Sequence, residues 1–203
     1  MIILFDGTNL DSWIHENGEP KWDLNDGYMT VKPGSGGLYT KQLFGDCQLH
    51  IEFRTPSQVK GEGQGRGNSG IYFMQEMGVK GDVGYEVQVL DSYENRTYSN
   101  GQASSIYKQH IPLVNASKKP GEWQSYDIIF EAPEFDLNGN KIKSGYFTVF
   151  HNGILIHNHV EILGTTENVG PPKNNAHGDG PISLQNHCCS QVSFKNIWVR
   201  KLD

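Results

Sequence analysis

An all-β fold, an antiparallel β-sandwich, is the class that three observations in this sequence predict. Segments of alternating apolar and polar residues recur at hairpin spacing from one end of the chain to the other. The composition includes 24 glycines and 9 prolines, a load suited to many tight turns. No stretch of about 12 residues carries an apolar stripe of helical period. A jelly roll is the arrangement that best suits so many short strands. The 203 residues suffice for one such domain and show no boundary, internal repeat or low-complexity tail, so residues 1–203 read as a single domain.

In order along the chain, IILF opens a first strand that turns at Asp6-Gly7, with Trp13 as an aromatic anchor. Residues 22–31 (WDLNDGYMTV) form a hairpin on Asp26-Gly27, the pair that accepts the positive φ of a type I′ turn. GGLYTKQLF (36–44) is a further strand. In CQLHIEFR (47–54), Cys47, Leu49, Ile51 and Phe53 point one way and Gln48, His50, Glu52 and Arg54 the other, as in a sheet with one wet face. The next loop contains G-x-G-x-x-G at Gly65, Gly67 and Gly70. A dinucleotide fingerprint needs a helix directly after it, and here the strand IYFMQ follows, so these glycines instead let backbone approach a ligand. Residues 92–112 lack periodicity and read as a long loop over a site. WQSYDIIFEAP (123–133) turns Tyr126, Ile128 and Phe130 to one side. DLNGN (136–140) lacks the ligands of a calcium loop and is a turn. Residues 145–162 are a hairpin folded at Asn152-Gly153. GPISLQNH (180–187) and QVSFKNIWVRKL (191–202) are the closing strands, and the broken parity of Val192, Phe194, Ile197 and Val199 predicts a bulge near Lys195-Asn196.

The net charge of −6, with no Lys/Arg-rich run, argues against nucleic acid as a partner. No apolar run approaches the ~20 residues of a transmembrane helix, so no membrane partner is expected. Oligomeric state is not legible. Three cysteines make no disulfide framework, and a bond between adjacent Cys188 and Cys189 would be strained. They read as small side chains at a strand end.

The chemistry concentrates in GRGNSGIYFMQ (65–75) and GYEVQVLDS (84–92). The first brings Arg66, Asn68 and Ser69 to the mouth of a strand. In the second, Tyr85, Val87 and Val89 alternate with Glu86 and Gln88, which share a face at ~6.7 Å spacing. Ordinary glycoside hydrolysis needs two carboxyls, ~5–5.5 or ~6.5–9.5 Å apart. Gln88 stands where a second acid would be, and Asp91 has opposite parity, reaching that side only if the strand bulges or ends. His187 shares parity with Gln185 and Ser183 and would line the same cleft as acid or base, or serve as a cap. Lys108 and His110 would orient a hydroxyl or carbonyl. Tyr72, Tyr107 and Trp123 are stacking platforms for sugar rings or core residues. His157 and His159, as H-x-H on one strand face, suit a metal only with a third ligand, and none is close in sequence, so packing is the expectation. No metal site is expected.

LFDGTNLDSW, GNSGIYF, YEVQVLDS, KKPGEWQSYDI, HNGILIHNHVEI and GPISLQNHCCSQVSFKNIWVR occur in this order. Through them nearly the whole chain resembles the 3-keto-disaccharide hydrolase domain family. HCCS stands where relatives often show a glycine. The resemblance implies a concanavalin A-like jelly roll, similar to laminarinase-type β-glucanases. It implies bacterial export, hence a periplasmic or secreted protein whose leader is absent from this sequence, a cytoplasmic one being the alternative. The substrate it implies is an oligosaccharide or glycoside already oxidised at C3.

A C3 ketone acidifies the C2 proton, so one base can remove it and expel the C1 substituent, and water then adds back. Under the resemblance, Glu86 or His187 is the base, and Arg66, Lys108 or a bound divalent cation stabilises the enolate; no other cofactor is called for. Asn68, Gln88, Asp91 and Gln185 hold hydroxyls. A non-catalytic carbohydrate-binding module and a β-glucanase-like hydrolase are the alternatives.

Overall fold

The computed structural model describes residues 1–75, 77 and 84–202. Fifteen strands are described. They are β1 (Ile2–Phe5), β2 (Trp13–Ile14), β3 (Asp23–Asn25), β4 (Tyr28–Thr30), β5 (Leu38–Thr40), β6 (Cys47–Arg54), β7 (Ser69–Phe73) and β8 (Tyr85–Val89). Then follow β9 (Gln124–Glu131), β10 (Glu134–Phe135), β11 (Lys141–Lys143), β12 (Tyr146–His151), β13 (Ile154–Glu161), β14 (Ile182–Leu184) and β15 (Ser193–Lys201). One antiparallel sheet runs β13-β12-β9-β6-β15-β4-β3, with β1 also paired to β15. The second, of five strands, runs β2-β5-β14-β7-β8. The two sheets form a jelly-roll, lectin-like sandwich, and no described helix is long and apolar enough to cross a membrane.

Alternation explains the larger sheet. In β6 and β9 every second residue is buried, so Leu49, Ile51 and Phe53 join Tyr126, Ile128 and Phe130 in the core while their neighbours meet solvent. Phe73 of the smaller sheet packs across the gap on Phe130 and Phe147, with centroids 4.7 and 5.3 Å away. Both predicted hairpin turns take left-handed φ, 48° at Asp26 and 52° at Asn152, and the predicted bulge lies between Lys195 and Trp198, with Asn196 at φ 46°. The strand expected over 36–44 is shorter, ending at Thr40.

The smaller sheet differs. All five residues of β7 and all five of β8 are buried. Ile71, Phe73, Tyr85, Val87 and Val89 enter the core. Tyr72, Glu86 and Gln88 face the other way and are buried because loops roof that face. One roof is the 92–112 segment, pinned by the bridge of Ile106 to Val87.

The shared strand face expected for His157 and His159 is corrected. Between Phe147 and Val149 two steps of β12 oppose three of β13, a bulge that reverses parity. His157 is therefore buried and its Nε2 bonds the Ser104 carbonyl at 2.8 Å. His159, at φ 50°, is exposed, stacked on Tyr146 and 3.3 Å from Glu131. Cys188 and Cys189 also depart from expectation: they occupy an exposed turn after β14, closed by Ser190 N–H donating to the His187 carbonyl at 3.1 Å. Cys47 is buried, and desolvation, reinforced by the Asp46 charge, pushes its thiol up to about 12.

Candidate functional site

Over the outward face of β7, β8 and β14 lies a cavity of about 620 Å³. Its sheet side is Tyr72, Glu86, Gln88 and Gln185, and its walls carry Gln64 and Asn68, then Tyr98 and Tyr107, then Thr166, Glu167 and Lys173, with His187 at one side. Glu86 is 3% exposed, and a Cβ on Gly70 would overlap its Oε1 and press to 2.9 Å on the Tyr72 ring. Glycine at 70 is thus what lets the carboxylate lie across β7. The Glu86 backbone N–H donates to Thr166 Oγ1 at 3.0 Å, which ties the 164–169 loop to the strand.

The amides are set by one another. Gln64 Nε2 donates to the Gly101 carbonyl (2.7 Å) and Thr97 Oγ1 (2.9 Å), so its Oε1 faces the Gln88 Nε2 donor at 3.0 Å. Asn68 Nδ2 donates to the Gln64 carbonyl at 2.7 Å, and Asn68 N–H to Ser190 Oγ at 3.0 Å. Gln88 is 1% exposed, yet its Oε1 has no partner among the described residues. A buried acceptor in that state costs about 1–3 kcal/mol unless a ligand donates to it. The Tyr98 and Tyr107 hydroxyls bond each other. That bond uses one of their two protons and leaves the other to donate outward. Desolvation, then Tyr98, then the negative charge of Glu86 raise the Tyr107 pKa, so the phenol stays protonated.

These features coincide with a family match: residues 1–200 fit the 3-keto-alpha-glucoside-1,2-lyase-like domain. The chain belongs to this family. A structure from Parabacteroides distasonis ATCC 8503, called a "putative glycosyl hydrolase", is 50% identical over 99% of this chain and 83% of its own, with a TM-score of 0.93. A second of that description from the same organism, at 21% identity over 98% of each chain and a TM-score of 0.70, shares the fold. So does the carbohydrate recognition domain of Emp46p, at 10% identity over 96% of this chain and 90% of its own (TM-score 0.52). Comparison with curated proteins finds no match. The 3-keto-alpha-glucoside-1,2-lyase-like chain is a carbohydrate-active protein with a saccharide as its ligand.

Within this family member, Glu86, Asn68, Tyr72, Gln88, Tyr107, Gln185 and His187 meet in one cavity, and strand parity had implied this for Glu86 with Gln88 and for Gln185 with His187. Five sequence candidates do not. Arg66 and Asp91 line a neighbouring cavity, because β8 ends at Val89 and the chain turns Asp91 onto the Arg66 Nε at 2.6 Å. Lys108, at φ 64°, is exposed, with its ammonium 4.0 Å from the Tyr98 ring centroid, and does not line the cavity. His110 bonds the Glu161 carbonyl, and Trp123 packs beside Arg54 outside the cavity. Gln64, Tyr98, Thr166, Glu167 and Lys173 were missed: they stand on loops without periodicity, where sequence offers no parity to read. Among the described residues, no three His, Cys, Asp or Glu side chains gather as a metal site.

Proposed function

We propose that this protein cleaves 3-keto-glucosides by elimination at C1–C2 followed by hydration, with Glu86 as the base. The observation that carries this reading is a single deeply buried carboxylate, Glu86, in a floor of amides, while Asp91 faces a different cavity. Glu86 takes the C2 proton and the electron pair passes to the C3 oxygen as an enolate. The spare hydroxyl proton of the Tyr98–Tyr107 pair donates to that oxygen. Collapse of the enolate forms the C1–C2 double bond and breaks the C1–O bond, whose electrons leave with the aglycone oxygen. His187, at the side of the cavity, supplies that oxygen's proton. Water then adds, its hydroxyl to C1 and its proton to C2. Asn68, Gln88 and Gln185 hold the ring hydroxyls.

Glu167 also lines the cavity, which gives a two-carboxylate hydrolase a second footing. It is engaged, however, by Lys173 Nζ at 3.2 Å and Thr165 Oγ1 at 3.1 Å. Incubating the protein with a 3-keto-glucoside and its unoxidised parent in heavy water separates the readings. Release from the ketone alone, with deuterium entering C2, is the expected result. Release from both sugars without deuterium at C2 would establish ordinary hydrolysis, and binding without release a non-catalytic module.

Gln88→Leu removes the buried acceptor while keeping similar bulk. It should raise KM about 10-fold and leave kcat within about threefold, since a hydroxyl held equally in ground and transition states contributes to uniform binding. Steady-state kinetics on the 3-keto-glucoside checks it.

A further inference from the structure

The geometry points to the neighbouring cavity as the leaving-group half of the same cleft, built for an aglycone that carries an anionic group; this rests on the elimination reading above. The second cavity measures about 660 Å³, and His187 lines both. The dividing wall is the glycine-rich loop: Gln64 and Asn68 face the first cavity, while Gly65, Arg66 and Gly67 face the second. That wall is tied to the far side by Asn68 N–H on Ser190 Oγ. A ring held over Glu86 with its C1 bond directed at His187 therefore sends its substituent into the second cavity.

The chemistry of that cavity differs from the first. Arg66 and Asp91 cancel as a pair at 2.6 Å, with Arg66 Nη2 also on the Tyr93 carbonyl at 3.0 Å. Arg54 and Lys60 also line it, and neither makes an ion pair among the described residues. Arg54 is held in place, its guanidinium 4.3 Å from the Tyr28 centroid and 4.7 Å from that of Trp123. Two uncompensated cations in a protein of net charge −6 mark a local reversal of sign. Thr55, 1% exposed, also lines the cavity, and its Oγ1 has no partner among the described residues. A carboxylate, sulfate or phosphate on the aglycone would meet both cations, with that hydroxyl as a further donor.

The test is a matched pair of 3-keto-glucosides, one with a 4-carboxyphenyl and one with a 4-carboxamidophenyl aglycone. The carboxylate is expected to have a KM about 5–10-fold lower, a preference that shrinks to about twofold in ~0.5 M NaCl and inverts in Lys60→Glu. Lys60 is exposed on a loop, so this variant is expected to fold. Equal KM values for the two substrates in the native protein, or a ratio unmoved by Lys60→Glu, would overturn the proposal. Should neither substrate turn over, the elimination reading fails, and calorimetric titration of the two unoxidised glucosides decides the cavity by the same ratio. A thiol readout locates the ligand: Cys188 and Cys189 line this cavity while Cys47 is buried. The carboxylated glucoside should slow their alkylation by iodoacetamide at least about fivefold. Absence of protection puts the aglycone elsewhere. Benzoate alone binding as tightly as the glycoside would make this a free-anion site and overturn the leaving-group assignment.

Discussion

Glu86→Gln is expected to lower kcat on a 3-keto-glucoside by about 10³-fold, within the 10²–10⁴ that a positioned general base contributes, while KM moves only a few-fold. The amide keeps the shape that Gly70 and Tyr72 accommodate, so folding and substrate seating survive and only the proton acceptor is lost. Gly70→Ala approaches the same atom from the other side. Its methyl would occupy the space of Glu86 Oε1 and displace the carboxylate, and the expected loss in kcat is about 10–100-fold with the charge intact. Glu167→Gln should cost less than about fivefold, since that carboxylate already answers Lys173 and Thr165. Thermal melts alongside the kinetics guard against misfolding. A kcat for Glu86→Gln within tenfold of the native protein, or equal losses at Glu86 and Glu167, would remove Glu86 as the sole base.

The strands of this sandwich were legible because their residues obey a two-residue period that burial enforces on both sides of the chain. Glu86 and Gln88 could be assigned to one face from that period alone, and Gln185 and His187 followed from the same parity on the closing segment. The period fails where a strand stops or bulges. Asp91 lies two residues past the end of β8, so its orientation came from the turn onto Arg66, and His159 was misplaced by one extra residue in β13. The cavity walls were the least legible part. Gln64 reaches Gln88 across 24 positions in sequence and Thr166 reaches Glu86 across 80, through loops whose courses are set by hydrogen bonds rather than by apolar pattern. The carboxylate was readable and its surroundings were not.

Behind Gln88 a buried polar network makes the fold sensitive to acid. His151 Nε2–H donates to Gln124 Oε1 at 2.9 Å, an oxygen that also accepts the Lys118 N–H, so His151 Nδ1 accepts the Ser104 hydroxyl at 2.8 Å. Burial, with the Lys118 charge adding to it, pulls His151 down to about 3. His157 falls to about 4 through burial, partly offset by the Ser104 carbonyl, with nearby His110 lowering it further. Both imidazoles are neutral in the fold, whereas the unfolded chain protonates them near ~6.5. Between those values the unfolded state binds more protons, so the stabilisation is complete above pH ~6.5 and is lost as the pH falls to about 4 for His157 and to about 3 for His151. At pH ~4.5 the loss is roughly 2–3 kcal/mol for each histidine, which for a chain of this length lowers Tm by about 10–20 °C relative to pH ~7. Calorimetric melts across that range test this. His157→Gln should roughly halve the slope although it melts lower at pH ~7, and an undiminished slope would assign the effect to other groups. Activity should fail along the same curve, because Ser104 N–H and the Tyr126 hydroxyl both donate to the Gln88 carbonyl at 2.9 Å. Protonating the histidines loosens the support on which the floor of the cavity rests.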